Sequence, residues 1–161
     1  MTSLESTTWV GNWAWGVPLI LANLLIHVVG LNLIGALVLG YYASMLRKRA
    51  ASFDFIMVVG VTSMLTVLLH GLESVIWGAA YLILGALNDY KTAMLYSLGA
   101  ITTYGHAGIH LKSHWELLGA MEALQGMLLF GLTTAFLFSI FCAVSPLKNH
   151  QIGTWILQKT R

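Results

Sequence analysis

Four ionisable side chains interrupt stretches that are otherwise apolar: His27, His70, Glu73 and Glu122. An ionisable group inside a membrane-length apolar segment is costly, and pairing or function must account for it. His70 and Glu73 stand at i and i+3, on one face of a helix. Asn23 and Asn32 lie on either side of His27. Two chemistries fit. The first is a buried polar cluster that orients helices, each interhelical hydrogen bond contributing about 0.6 kcal/mol in a membrane. The second is a carboxylate–histidine metal site of the kind helical bundles build. A single His-x-x-Glu without a second copy lacks the ligands of a dinuclear centre, so the expectation is polar support and no metal.

A second group of residues carries a different chemistry. Tyr96 to Gly108 read Y-S-L-G-A-I-T-T-Y-G-H-A-G, where Thr102 and Thr103 end a short apolar run and pass into a Gly-containing bend. A helix that stops partway through a membrane and returns as extended backbone is written this way. Such backbone survives at membrane depth only where protein or a water-filled cavity satisfies its carbonyls, and a carbonyl-lined cavity is an ion path.

The elements that must position these groups follow from composition. The 161 residues are 58% hydrophobic and 9% charged, where soluble domains are about a quarter charged. The expected class is an all-α membrane protein, residues 1–161 forming one domain. A spanning helix needs about 20 mostly apolar residues. Three segments qualify: 17–46, 55–87 and 115–144. The apolar piece from Thr92 to Thr103 is too short to cross, which makes it a re-entrant half-helix within a 91–110 pore-helix and loop segment. Asn88 and Asp89 stand ready to cap it, and Pro146 would stop the third span. Residues 145–161 form a tail in which Ile152 to Leu157 could be an interfacial helix.

Arg47, Lys48, Arg49, Lys148, Lys159 and Arg161 fall on one side of these spans, and Lys91 and Lys112 on the other. The richer side is cytoplasmic, so the N-terminus is expected outside and the loop opens outward. Trp9, Trp13 and Trp15 suit an outer-interface belt. Met1 to Thr8 carry no basic residue, so the first apolar stretch is expected to be retained rather than cleaved. The lone Cys142 excludes an intrachain disulfide, and the few charges exclude a nucleic-acid surface. No nucleotide, phosphate or nucleophile motif suggests an enzyme.

The region from Phe55 to Cys142 resembles the two-transmembrane, pore-loop core of the potassium-channel superfamily, most closely its small bacterial members with an extra N-terminal helix. The resemblance is carried by Met94-Leu95-Tyr96-Ser97-Leu98, by Thr102-Thr103-Tyr104-Gly105, and by Gly126 with Phe130-Gly131-Leu132-Thr133-Thr134-Ala135. It implies a homotetramer in the bacterial inner membrane, with Thr102, Thr103, Tyr104, Gly105, His106, Ala107 and Gly108 as the selectivity filter. It also implies that Gly126, Phe130, Gly131, Thr134, Phe138 and Cys142 line or gate the pore, Phe141 being a further gate candidate. His27, His70, Glu73 and Glu122 become buried support, and a protonated Glu73 or Glu122 could donate to the filter backbone.

Departures from that pattern fall in the filter. Tyr104 replaces a small β-branched residue, His106 a tyrosine, Ala107 the second glycine and Gly108 an aspartate. Ala107 resists backbone angles that glycine allows, so a wider outer mouth and poor discrimination between K+ and Na+ are expected. His106 could ring the mouth and titrate or bind a transition metal there, or hydrogen-bond behind the filter. His110 and His114 read as solvated loop residues. The expected function is a weakly selective monovalent-cation channel without cofactor, nucleic-acid partner or soluble ligand domain. The alternatives are a non-conducting oligomer with a collapsed filter, and a metal- or proton-handling bundle built on the intramembrane His and Glu.

Overall fold

The computed structural model describes residues 3–45, 51–105 and 108–145. Four α-helices occur in the order α1 (Ser3–Met45), α2 (Ala51–Ile83), α3 (Tyr90–Ile101) and α4 (Glu116–Val144), with a 3-10 turn at Ser113–Trp115. No strand occurs among the described residues. Three helices are long and apolar enough to cross a membrane, over Trp9–Ser44, Asp54–Ile83 and Ser113–Val144. The α3 helix, at 12 residues, is about 18 Å long at the α-helical rise, well short of a hydrocarbon core of about 30 Å.

The helix ends explain where these bounds depart from the sequence expectation. The first helix begins at Ser3 rather than near residue 17, and Pro18 lies inside it. Trp9 and Trp13 are therefore helical neighbours, with ring centroids 6.3 Å apart, rather than part of a leading segment. The second helix stops at Ile83 rather than residue 87 because Gly85 adopts φ 64°. Its N–H donates to Leu82 O at 3.0 Å and that of Ala86 to Tyr81 O at 2.8 Å. This paired closure is the Schellman motif, which favours glycine at the left-handed position. Asp89 caps α3 as its position suggests, accepting at Oδ1 from Thr92 N–H at 2.9 Å. The α4 helix is capped from outside its own segment. Asn12 Oδ1 accepts from Leu118 N–H at 3.0 Å, and Asn12 Nδ2 donates to His114 O at 2.6 Å. Pro146, the tail segment Ile152–Leu157 and the basic residues Arg47, Lys48, Arg49, Lys148, Lys159 and Arg161 lie outside the described residues.

Two compact units are distinguished, Met1–Gly30 with Leu68–Leu132, and Leu31–Val67 with Thr133–Arg161. The first holds α3 and a core of Trp77, Tyr81, Ala86, Leu87, Ala93, Tyr96, Ala100, Leu111 and Leu118. Glycine notches let α3 approach its neighbours closely. A Cβ at Gly78 would lie 3.6 Å from the backbone of Ala93. One at Gly119 would overlap the Tyr96 hydroxyl, and one at Gly126 would overlap the Ile101 carbonyl. The second unit packs Phe55 edge-on to Phe141 at 5.2 Å, and Tyr42 Oη donates to Val144 O at 3.2 Å.

Candidate functional site

The segment after α3 is shaped by how that helix ends. Thr102 is its C-cap, and Thr103 follows at φ 57°, the left-handed region that a β-branched residue disfavours. Its N–H donates to Ala100 O at 3.0 Å, as in the turn after α2, but with threonine where that turn has glycine. Holding an L-residue there costs about 1–2 kcal/mol. Gly105 sits at φ 93° and donates its N–H to Gly99 O at 3.2 Å, while Thr102 N–H bonds Leu98 O at 3.2 Å. The donors of Thr102, Thr103 and Gly105 thus all return to α3. The carbonyls of Thr102, Thr103 and Tyr104 accept no hydrogen bond from the described residues. Thr102, Thr103, Tyr104 and Gly105 are all exposed in the single chain, Tyr104 at 88%. Gly108, at φ 76°, is likewise exposed, as is His110. His106 and Ala107 lie outside the described residues, so the expectations for them find no structural counterpart here.

Behind this segment α3 is anchored by a polar clasp. Glu122, fully buried on α4, places Oε1 2.5 Å from Ser97 Oγ of α3 and accepts at Oε2 from Tyr81 Oη of α2 at 2.5 Å. Ser97 Oγ also lies 2.9 Å from Ser74 O. One turn along α4, Gln125 Oε1 accepts from Trp77 Nε1–H at 3.0 Å. Three helices therefore converge on Glu122. Donation from Glu122 to the loop backbone does not occur among the described residues, because both of its oxygens are directed to Ser97 and Tyr81.

Among the described residues, Glu73 makes no bond to the loop either. It gathers the two spanning histidines instead. His27 Nδ1 is 2.8 Å from Glu73 Oε1, and His70 Nδ1 is 3.1 Å from Oε2, with His27 and Glu73 fully buried. The His27 and His70 rings are 5.2 Å apart, and Phe130 stacks on His70 at 4.5 Å and 19°. Sequence spacing pairs His70 with Glu73; the structure adds His27 and separates Glu122 into the other cluster.

Along α4, Phe130, Thr134, Phe138 and Cys142 are all exposed in the single chain. Phe130 is engaged by His70 and Phe141 by Phe55, which ties both rings into helix packing. Phe138 remains the more exposed ring of the stripe, at 68%. Gly126 supports close packing against Ile101, whereas a Cβ at Gly131 would meet nothing within 4 Å. Asn12, Ser97, Tyr81 and Gln125 are site-building residues that sequence reasoning misses. Their partners lie 23 to 106 positions away, and no local pattern marks them. Compared with models of known protein families, with curated proteins and with solved structures, the chain matches none of them.

Proposed function

We propose that the chain is the subunit of a homotetrameric pore-loop cation channel, with the Thr102–Gly108 segment as its ion path. One observation carries the reading. The carbonyls of Thr102, Thr103 and Tyr104 follow a helix too short to cross a membrane and accept nothing from the described residues. In a chain with three apolar spans, such carbonyls need a water-filled or ion-filled cavity. One copy contributes one edge of that cavity, and four copies enclose it. The helical C-terminus adds its partial negative charge at the same place, where a cation is favoured. Thr103 in the left-handed region between residues that donate their N–H groups to α3 is consistent with backbone strain held at a functional segment.

Ions would pass Thr103 and Thr102, and Thr134 and Phe138 of α4 are the candidates for lining and gating the path, Phe138 making no ring contact among the described residues. Ala107 and His106, in place of glycine and tyrosine, make the outer sites poorer, so K+ and Na+ pass at similar rates. The protein lies in the bacterial inner membrane with its N-terminus outside. The resemblance of Thr102-Thr103-Tyr104-Gly105 and its flanking helices to the potassium-channel core supports this reading. The test is flux of K+ and Na+ into liposomes holding the purified protein, with the oligomer mass measured in parallel. Flux of both ions from a four-chain particle is expected. A four-chain particle without flux supports the non-conducting oligomer, and a monomer without flux removes the pore altogether.

A further inference from the structure

His27, His70 and Glu73 bring three ionisable side chains together inside the helices. We infer that this cluster is a mononuclear site for a first-row divalent transition ion of the zinc class, ligated by His27 Nδ1, His70 Nδ1 and the Glu73 carboxylate. The nitrogen and oxygen ligand atoms of these three residues all lie within 4.8 Å of one another. Two ligands of one ion, each about 2.1 Å from it, sit about 3.0 Å apart at a right angle and about 3.4 Å apart at the tetrahedral angle. The observed nitrogen–oxygen separations are 2.8 Å, which is a His27–Glu73 hydrogen bond, and 3.1 Å, close enough to the right-angle spacing that an ion replacing the shared protons needs only small shifts. Two imidazoles and one carboxylate are a donor set suited to zinc and its neighbours, with coordination positions left for others.

A second observation points the same way. Glu73 Oε2 is fully buried, and its contact among the described residues is with His70 Nδ1 at 3.1 Å, outside hydrogen-bond alignment. A buried carboxylate oxygen with a single poorly aligned contact has acceptor capacity left for a cation. One turn earlier on α1, at i−4 from His27, Asn23 is fully buried with neither its Oδ1 nor its Nδ2 partnered among the described residues. Residues at i and i+4 lie on the same helix face one above the other, so Asn23 stands about 6 Å along the axis from His27, on the same face, as an unpartnered polar neighbour of the cluster. Phe130 stacked on His70 fixes that ring and gives the site an apolar wall, as outer-shell groups do at metal centres. The inference does not depend on the channel reading, because no residue of the cluster belongs to the loop segment.

The experiment uses the tag-free full chain in detergent, stripped with chelator and equilibrated with Zn2+, with bound metal counted by elemental analysis. One Zn2+ per chain is expected. Glu73→Gln and His27→Gln should bind more weakly by more than the roughly 10–100-fold that follows loss of an outer-shell partner, with helicity and elution unchanged. Asn23→Leu should weaken binding less. Should the variants fail to fold, Co2+ bound to the unaltered chain still decides: its spectrum should report nitrogen and oxygen ligands only. A thiolate band would place the ion at Cys142 and overturn the assignment. Absence of saturable binding, or binding unchanged in Glu73→Gln, would overturn it as well. Channel failure with intact Zn2+ binding leaves this inference standing, and the reverse result removes it alone.

Discussion

Replacing Gly126 by alanine tests whether α3 is held by backbone-to-backbone contact. A Cβ at this position overlaps the Ile101 carbonyl oxygen and lies 2.8 Å from the Ile101 C and Cα atoms, where ordinary contact begins near 3.4 Å. These are main-chain atoms at the end of α3, so no rotamer change relieves them. Gly131 is the internal control: it lies on the same helix, and a Cβ there meets nothing within 4 Å. Both substitutions gain the helix propensity of alanine over glycine, about 0.8–1 kcal/mol. Only Gly126→Ala also incurs overpacking, about 1–3 kcal/mol. The two variants should therefore differ by about 1–3 kcal/mol, with Gly131→Ala at or above the stability of the unaltered protein. Equilibrium unfolding in mixed detergent micelles measures the difference. Equal stabilities, or a more stable Gly126→Ala, would refute the claim that α3 rests on this notch.

Glu122→Ala leaves the Tyr81 hydroxyl without its acceptor, while Ser97 still donates to Ser74 O, which should cost about 1–3 kcal/mol for the one group left unsatisfied. Glu122→Gln keeps both an acceptor and a donor and should retain most of that stability in the same unfolding assay. Asn12→Ala removes the cap on Leu118 N–H and the donor to His114 O, and should lower stability by about 0.5–2 kcal/mol, with amide exchange fastest at the start of α4. Asp89 is held below the usual carboxylate range by hydrogen bonds from Thr92, the side chain first and the backbone next. Its contribution is complete above the unfolded value of about 3.9 and is lost as pH falls through the lower folded value. The stability gap between the unaltered protein and Asp89→Ala should accordingly close on acidification in thermal melts from pH 7 to 3; a gap that widens would contradict the cap.

The legible part of this fold is what depends on local composition and length. Three apolar spans, a fourth piece too short to cross and an Asp89 cap all follow from counting and from capping chemistry. The end of α2 is not legible, because the apolar run through Leu87 hides the stop that Gly85 makes at φ 64°. Other features depend on groups far apart in the chain. Asn12 caps a helix more than a hundred residues away, and nothing near residue 12 announces it. Glu73 and Glu122 look alike in sequence, each a carboxylate in a span. Only the packing sends one to two histidines and the other to a serine and a tyrosine. Gly126 and Gly131 are likewise equivalent as letters and are separated by what faces them. The strain at Thr103 is visible only in the backbone, because Thr-Thr-x-Gly does not say which residue turns left-handed.

The most direct measurement is a density map of the purified protein in lipid nanodiscs. A fourfold axis running beside Thr103, with the carbonyls of Thr102, Thr103 and Tyr104 turned toward it and ion density between them, is the expected result. An assembly with no rotational axis at that threonine, or with α3 continued into a full crossing, would contradict the account.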